Sequence, residues 1–212
     1  MIVTGITSSA PATHHADGQR LLLNMLSRFR PDVFGNIPAQ RHGDIIREIT
    51  ADRNGKPRLG SIPFSVSHSA GLVMCSIFCP QDLPAMPCPE PDAVITLSGE
   101  AYFELPAKEC AEIGADIEQI SEARDADRLL AISRRYFSPT ERDYVLSGEN
   151  TAERFFRIWT RKDSCIKMTG EGLQALSRTD TFSISAETLI HSVTLLCGGE
   201  KYSASVFFGA RR

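Results

Sequence analysis

The segment that most constrains the fold is 155–173, whose pattern is that of an amphipathic helix. Its apolar residues recur at spacings of three, four and seven, as on the buried face of a helix. These residues are Phe155, Ile158, Trp159, Ile166 and Met168. Gly170 and Gly172 follow, and glycine commonly ends a helix. The sequence therefore predicts a helix that stops at Gly170.

One edge of this helix carries Trp159, Asp163 and Lys167 at steps of four, so that the three side chains share one side. An Asp placed four residues before a Lys is an ordinary helix pair, worth about 0.2–0.5 kcal/mol. The helix alone therefore favours a structural interpretation. A functional one depends on the rest of the chain.

Composition excludes several classes of protein. The 212 residues are 42% hydrophobic and 23% charged, which fits one large domain or two small ones that share an interface. The net charge of −3, without a run of Lys or Arg, argues against nucleic-acid binding. No segment approaches the roughly 18 apolar residues of a membrane helix, and the first residues lack the basic start of a signal peptide. Six cysteines without a C-x-x-C spacing predict no zinc site and a reducing, cytoplasmic setting.

Hydrophobic patterning predicts an α+β fold. In the first half it indicates a strand at 1–6, a helix at 19–29 and strands at 45–51, 62–69 and 72–78. Five prolines in 79–92 mark a boundary between halves, followed by a hairpin of 93–97 with 102–105. In the second half it indicates a strand at 110–119, helices at 126–136, 139–146 and 155–170, and strands at 181–185, 189–197 and 201–208.

Two polar positions stand out in the first half. Lys56 follows the turn signal Asn54-Gly55, where most charged residues are simply hydrated. His68 ends the strand 62–69, next to Ser67. A histidine at a strand end is more often packed than functional, so neither residue indicates a site by itself.

Three carboxylates stand out in the second half. Asp116 and Glu118 alternate on one strand face, about 6–7 Å apart by strand geometry. They either face solvent or hold a hard divalent cation in the manner of magnesium, and the sequence leaves both open. Glu141 completes a capping box with Ser138, which is a full structural explanation for it.

Taken in order, four motifs resemble one family, the 4′-phosphopantetheinyl transferases of the larger surfactin-synthetase-activating (Sfp) type. They are Gly-Lys-Pro at 55–57, Phe-Ser-Val-Ser-His-Ser at 64–69, Gly-Ala-Asp-Ile-Glu at 114–118 and the segment 155–173. The first two are weak alone, whereas the last two in succession are highly specific. The resemblance covers about 19–173 in ordered motifs, and the C-terminal strands in pattern only.

The resemblance implies a fold, a reaction and its partners. Larger members have two similar, pseudo-duplicated α+β halves with the active site in the cleft between them. The halves would be 1–92, on the adenosine and 3′-phosphate side of coenzyme A, and 93–212, with the magnesium and catalytic motifs. The family transfers 4′-phosphopantetheine from coenzyme A to a serine of an acyl or peptidyl carrier protein and releases 3′,5′-ADP. It uses Mg²⁺, with Mn²⁺ as an alternative, and we expect a monomer without a nucleic-acid or membrane partner.

The resemblance also implies roles for individual residues. Asp116, Glu118 and Asp163 would ligate magnesium, while Lys167 would contact the phosphates and stabilise the leaving group. Residues implied to bind coenzyme A are Lys56, Ser67, His68, Lys162 and Lys167. Catalytic residues implied are Glu141 as general base, Asp163 and Lys167.

The sequence departs from the family at three places. The stretch 79–110 is longer than expected between these motifs. Position 163 is usually Glu, and Asp is one methylene shorter. The N-terminal basic segment of larger members is missing or shortened. The last two departures keep open an alternative, a non-catalytic module that binds coenzyme A or a carrier protein. An unrelated magnesium-dependent phosphoesterase would explain Asp116 and Glu118, but not Lys56, His68 or the Trp159 helix.

Overall fold

The computed structural model describes residues 1–35, 37–80, 83–121, 126–184 and 188–209. The α-helices are α1 (His14–Phe29), α2 (Ala126–Tyr136), α3 (Pro139–Leu146) and α4 (Thr151–Thr169). The strands are β1 (Ile2–Ser8), β2 (Thr50–Ala51), β3 (Pro57–Arg58), β4 (Phe64–Ser69), β5 (Leu72–Phe78), β6 (Val94–Thr96), β7 (Ala101–Leu105), β8 (Glu112–Gln119), β9 (Thr188–Cys197) and β10 (Glu200–Gly209). Short 3₁₀ helices span Pro11–Thr13, Pro31–Phe34, Ala39–Glu48 and Leu173–Ala175.

Two four-stranded sheets form the centre of the fold. The first has the order β4-β5-β1-β7 and the second the order β6-β9-β10-β8, and β2 with β3 forms a separate hairpin. All pairs are antiparallel except β6 with β9. Strands β4 and β8 are edge strands, since each lies at one end of its own sheet.

Each sheet has one helix-covered face and one face turned towards the other sheet. Helix α1 buries Leu22, Met25 and Leu26 against the first sheet. Helix α4 packs on β8 and β10 of the second sheet. Between the sheets, apolar residues such as Ile6 and Met74 meet Ile117 and Val206 in one core. The predicted α+β class is confirmed, and each sheet carries its own helix.

The pattern-based helices are confirmed with small changes in their bounds. Helix α4 ends at Gly170, which adopts the left-handed conformation with φ of 72°. Helix α2 spans the predicted residues, and Ser138 and Glu141 form the predicted capping box of α3. Helix α1 begins five residues earlier than predicted.

Three predictions of local structure are wrong. The segment 45–51 is not a strand, because residues 39–48 form a 3₁₀ helix and only Thr50–Ala51 is extended. The segments 93–97 and 102–105 do not form a hairpin, since β6 pairs with β9 and β7 pairs with β1. Residues 181–184 form turns and bends instead of a strand, and Ser185 of that prediction lies outside the described residues.

The boundary predicted between residues 92 and 93 stays a prediction. Strand β6, which follows it, joins the second sheet, but β7 returns to the first. All six cysteines are free thiols. None of the helices in the described part of the chain combines the length and apolar character that crossing a bilayer requires.

Candidate active site

The C-terminal half of α4 provides the helical wall of the site. The side chain of Asn150 caps its first turn, and Phe155, Ile158 and Ile166 are buried. Trp159 is half-buried and stacks on Phe155, with ring centroids 6.0 Å apart. This packing fixes the rotation of α4, so that Asp163 and Lys167 face the junction of the two sheets.

Helix α4 approaches β8 so closely that only glycine fits between them. A Cβ atom on Gly114 would lie 1.8 Å from the carbonyl oxygen of Ser164 and 2.3 Å from the backbone nitrogen of Met168. Atoms of the neighbouring turns of α4 therefore pass directly over the β8 backbone. This contact explains the glycine of the Gly-Ala-Asp-Ile-Glu motif and brings Asp116 next to Lys167.

Lys167 lies between two carboxylates from different elements. Its Nζ is 2.6 Å from Oδ1 of Asp116 and 2.8 Å from Oδ2 of Asp163. It also donates to Oγ of Ser67 at 3.1 Å, and this hydroxyl in turn donates to Oδ1 of Asp116 at 2.8 Å. We call Ser67, Asp116, Asp163 and Lys167 the Lys167 cluster. It joins β4, β8 and α4.

Burial and charge act in opposite directions in this cluster. Asp116 is 2% exposed, and burial, with the neighbouring charge of Asp163, raises its pKa to about 8 against the attraction of Lys167. Burial disfavours the charged form of Lys167, but Asp116 and Asp163 outweigh it and raise the pKa of this ammonium group. Lys167 therefore remains a cation over the whole physiological pH range.

A cavity of about 270 Å³ opens beside the cluster. It lies between the β2–β3 hairpin, β4 and the C-terminal end of α4. Its lining includes Asn54, Lys56, Phe64, Asp163, Lys167 and Leu173. Three residues predicted to belong to the site, Lys56, Asp163 and Lys167, thus meet at one cavity, although their sequence positions span more than 100 residues.

Lys56 is held by residues of β8 and α4. Its Nζ donates to Oε2 of Glu112 at 2.6 Å and to the carbonyl oxygen of Met168 at 2.8 Å, in the last turn of α4. Its side chain is only 8% exposed, and this burial lowers its pKa despite the charge of Glu112. Lys56 is a cation at the cavity, but it already has two partners.

Ser67 and His68 point to opposite faces of β4. Ser67 belongs to the Lys167 cluster, whereas the ring of His68 stacks on His14 of α1, with centroids 4.4 Å apart. His14 bonds through Nε2 to the carbonyl oxygen of Ala70 at 2.8 Å. Partial burial, then the charges of His14 and Lys167, lower the pKa of His68. The imidazole is therefore mostly neutral at pH 7.

Glu118 lies two residues beyond Asp116 on β8, and Ser69 holds it. The Ser69 hydroxyl donates to Oε2 of Glu118 at 2.8 Å. Asp116 and Glu118 thus each accept a hydrogen bond from a serine of β4, which confirms that they share one strand face.

Glu141 and Lys162 are paired with each other, away from the Lys167 cluster. Both side chains are fully buried, with Lys162 Nζ 2.8 Å from Oε2 of Glu141. Glu141 also accepts from the backbone of Ser138 and from the backbone and hydroxyl of Thr181, each at 2.8 Å. Lys162 donates further to the carbonyl oxygen of Thr179. The network accounts for both residues structurally, and their roles as base and coenzyme ligand stay predictions.

Several residues around the site were not singled out from the sequence. Glu112 was missed because its partners Lys56 and Arg58 lie more than 50 positions away. Ser69 and Ser65 carried a signal, since they alternate with Ser67 on one face of β4. Their partners on β8 could not be inferred without the packing of the two sheets.

The residues present offer a magnesium ion some of the oxygen ligands it needs, but not a complete set. Among the described residues, no group of three or more His, Cys, Asp or Glu side chains is gathered to hold a metal ion. Magnesium is commonly bound by one or two carboxylates, with phosphates and water completing the shell. Oδ2 of Asp116 is buried without a hydrogen-bond partner in the described part of the chain, beside Asp163. This free carboxylate oxygen is the kind of donor that the ion takes.

Comparison with known proteins finds one family. The model of the 4′-phosphopantetheinyl transferase superfamily matches residues 112–208, which include β8, α4 and β10. The 4′-phosphopantetheinyl transferase HetI of Nostoc sp. is 25% identical over 137 residues, 61% of this chain and 44% of that protein. The transferase psf-1 of Bacillus pumilus is 35% identical over 85 residues, 39% of this chain and 34% of that protein.

A third relative, the 4′-phosphopantetheinyl transferase Sfp of Bacillus subtilis (strain 168), is 32% identical over 96 residues. The match covers 44% of this chain and 40% of that protein. The chain thus spans less than half the length of each of these three curated relatives.

Proposed function

We propose that the chain transfers 4′-phosphopantetheine from coenzyme A to a carrier-protein serine, which is supported by the match of residues 112–208 to the 4′-phosphopantetheinyl transferase superfamily and by the similarity to Sfp. The acceptor would be an acyl or peptidyl carrier protein, and 3′,5′-ADP the second product. In this reaction the serine oxygen bonds to the β-phosphorus of coenzyme A. The bond from this phosphorus to the oxygen of 3′,5′-ADP breaks, and the serine proton passes to a base. We propose a monomeric, cytoplasmic enzyme.

The observation that carries this proposal is the Lys167 cluster at the edge of the cavity. A pyrophosphate has concentrated negative charge, which a site must offset as the leaving group departs. Lys167 offers a cation there, held at 2.6–2.8 Å by two carboxylates that keep it charged. Lys56 adds a second cation to the lining of the same cavity.

The other residues take roles that follow from their positions. Asp163 lines the cavity and has a carboxylate available to accept the serine proton. Lys56 would bind a phosphate of coenzyme A in exchange for part of its contact with Glu112. His68 would contribute a neutral imidazole on the α1 face of β4. Glu141 could serve as base only after one of its four hydrogen bonds breaks.

Asp116, Glu118 and Asp163 would hold a magnesium ion. When bound, the ion supplies positive charge that polarises the phosphoryl oxygens. Asp116 would bind through its unpaired Oδ2 while Ser67 and Lys167 keep its Oδ1 in place.

The test is incubation with coenzyme A, Mg²⁺ and several apo carrier proteins, followed by mass spectrometry of the carriers. We expect a mass increase equal to one phosphopantetheine on at least one carrier. No adduct on any carrier would refute the transferase. Coenzyme A binding measured by calorimetry, without an adduct on any carrier, would instead support the alternative of a non-catalytic binding module. The motive for that alternative is the Asp at position 163, where the family usually has Glu.

A pair of variants connects the activity to the cluster. Asp116→Ala should reduce transfer by about 100-fold or more, because it removes a carboxylate that would hold the magnesium ion. The matched control is Glu149→Ala, which removes an exposed carboxylate from the turn between α3 and α4. A smaller loss in Asp163→Ala than in Asp116→Ala would indicate that Asp163 acts at a distance from the metal.

A further inference from the structure

Three serines of β4 connect it to β8 without a shared strand ladder. Ser65, Ser67 and Ser69 alternate along β4 and face the second sheet. Their hydroxyl oxygens accept from the backbone N–H groups of three residues on β8, at 2.9, 3.4 and 3.0 Å. These residues are Ala115, Ile117 and Gln119. Each is 50 positions beyond its serine, so the two edge strands run parallel in a fixed register.

Two of the three serines also orient a carboxylate. A hydroxyl has a single proton, so a serine that accepts from an N–H can donate to one further group. Ser67 donates to Asp116 and Ser69 donates to Glu118, both at 2.8 Å. Ser65 has no such acceptor, because the residue in the equivalent position is Gly114, which has no side chain.

The serines therefore satisfy two requirements with one group. The N–H groups of an edge strand need partners when they are buried, and the serine oxygens provide them. The serine protons then hold the carboxylates that project from β8 in a single orientation. Ser67 has further contacts through Lys167, whereas Ser69 acts on Glu118 without contact to the Lys167 cluster.

We propose that Ser69 is a positioning residue of the site, which holds the Glu118 carboxylate in the orientation that binds a divalent cation. This inference rests on the proposed function only for the identity of the cation site. Groups that hydrogen-bond to metal ligands typically change metal affinity by 10–100-fold when they are removed. Ser69 has this relation to Glu118, and its N–H contact fixes its own rotamer.

The test compares three purified variants by Mn²⁺ titration, read by electron paramagnetic resonance without coenzyme A or carrier. Ser69→Ala should weaken Mn²⁺ binding about 10-fold or more. Ser69→Thr retains the hydroxyl and should bind within about two-fold of the wild type. Ser65→Ala removes an equivalent N–H contact but no carboxylate contact, and should leave Mn²⁺ affinity unchanged. A thermal melt of each variant confirms that it is folded.

The variants offer two outcomes that would overturn the inference, and the wild type offers a third. One is wild-type Mn²⁺ affinity in folded Ser69→Ala. The other is equal weakening in Ser65→Ala and Ser69→Ala, which would mean that only the strand contact matters. Absence of Mn²⁺ binding in the wild type would also overturn it. A wild type that binds Mn²⁺ but modifies no carrier would refute the proposed function alone, because the titration does not depend on transfer.

Discussion

Asp116 is the residue whose environment differs most from that of an ordinary carboxylate. It is buried between β8 and α4, with Oδ1 bonded to Ser67 and Lys167 and Oδ2 without a partner in the described part of the chain. Its pKa is raised from 3.8 to about 8, first by burial and then by the charge of Asp163, against Lys167. In the absence of a cation, the folded protein therefore retains a proton that the unfolded chain releases.

This retained proton predicts a pH dependence of stability. Between about pH 4 and pH 8 the native state binds one proton more than the unfolded state, so the free energy of unfolding falls as pH rises. One proton contributes a slope of at most about 1.4 kcal/mol per pH unit. Asp116→Asn removes this titration and should flatten the slope. Urea unfolding in EDTA at pH 5, 6, 7 and 8 measures it, and parallel curves for both proteins would contradict the prediction.

At the scale of elements, the contact of β8 with α4 depends on Gly114. We expect Gly114→Ala to destabilise the protein by about 3 kcal/mol or more, because backbone atoms of α4 cannot move aside as a flexible side chain would. The control is Gly43→Ala in the 3₁₀ helix Ala39–Glu48, where an added Cβ would meet nothing within 4 Å. Thermal unfolding of both variants measures the difference. Similar melting temperatures would show that α4 yields at this contact.

The Glu141–Lys162 pair links α3 to α4 and predicts non-additive mutations. Lys162→Met should cost about 3–5 kcal/mol, because it leaves a buried carboxylate without its cation. Adding Glu141→Gln should recover part of this loss, since a neutral amide needs no counter-charge. Urea unfolding of Lys162→Met, of Glu141→Gln and of the double variant gives a double-mutant cycle, which measures the coupling between the two residues. Additive losses would mean that the pair is not coupled.

Sequence patterns correctly predicted those elements whose apolar period and end signals lie within one continuous segment. Helix α4 was predicted because its apolar period and its glycine stop lie within the same segment. The segment 45–51 was assigned to a strand because its residues alternate as in a strand. In the structure Ile46 and Ile49 are three positions apart and pack on the core beside Ile45, as the three-residue turn of a 3₁₀ helix allows. Thr181 does not pair in a sheet because its N–H and hydroxyl are bound to Glu141.

At the scale of the whole molecule, the resemblance grouped residues from distant segments but did not predict how they pair. The resemblance brought Lys56, Asp163 and Lys167 into one site, and all three line the same cavity. The hydrogen bonds of Lys56 with Glu112 and of Ser69 with Glu118 could not be predicted, because each joins positions 49 or more apart. The segment 102–105 was likewise assigned to a local hairpin, although its partner β1 lies near position 5.

The β2–β3 hairpin is joined to β8 and to the end of α4 beside the cavity. Glu112, at the start of β8, accepts from Lys56 at 2.6 Å and from Arg58 at 2.6 and 2.7 Å. The amide of Asn54 donates to the carbonyl oxygen of Gly170 at 2.5 Å, just after α4. Glu112 is thus one carboxylate that serves two cations in a partly buried setting.

We predict that Glu112→Gln loosens this hairpin. Lys56 would lose its counter-charge, whereas Arg58 would keep that of Asp52. Lys56, at 8% exposure, cannot regain full hydration without moving. The free energy of unfolding should fall by about 1–3 kcal/mol. In the wild type, the backbone N–H groups of Asn54 and Lys56 donate to Asp52. Amide hydrogen exchange at these two groups should be faster in Glu112→Gln.

The matched control for Glu112→Gln is Asp44→Asn, which also removes one carboxylate from two cations. Its partners Arg41 and Arg47 are 72% and 85% exposed, so water replaces the lost contacts. Its stability should change by no more than about 0.5 kcal/mol. Exchange-coupled mass spectrometry and urea unfolding on both variants test the difference. Equal effects would mean that the hairpin is held by packing alone, whereas faster exchange confined to 50–58 in Glu112→Gln would identify Glu112 as the link between the hairpin and β8.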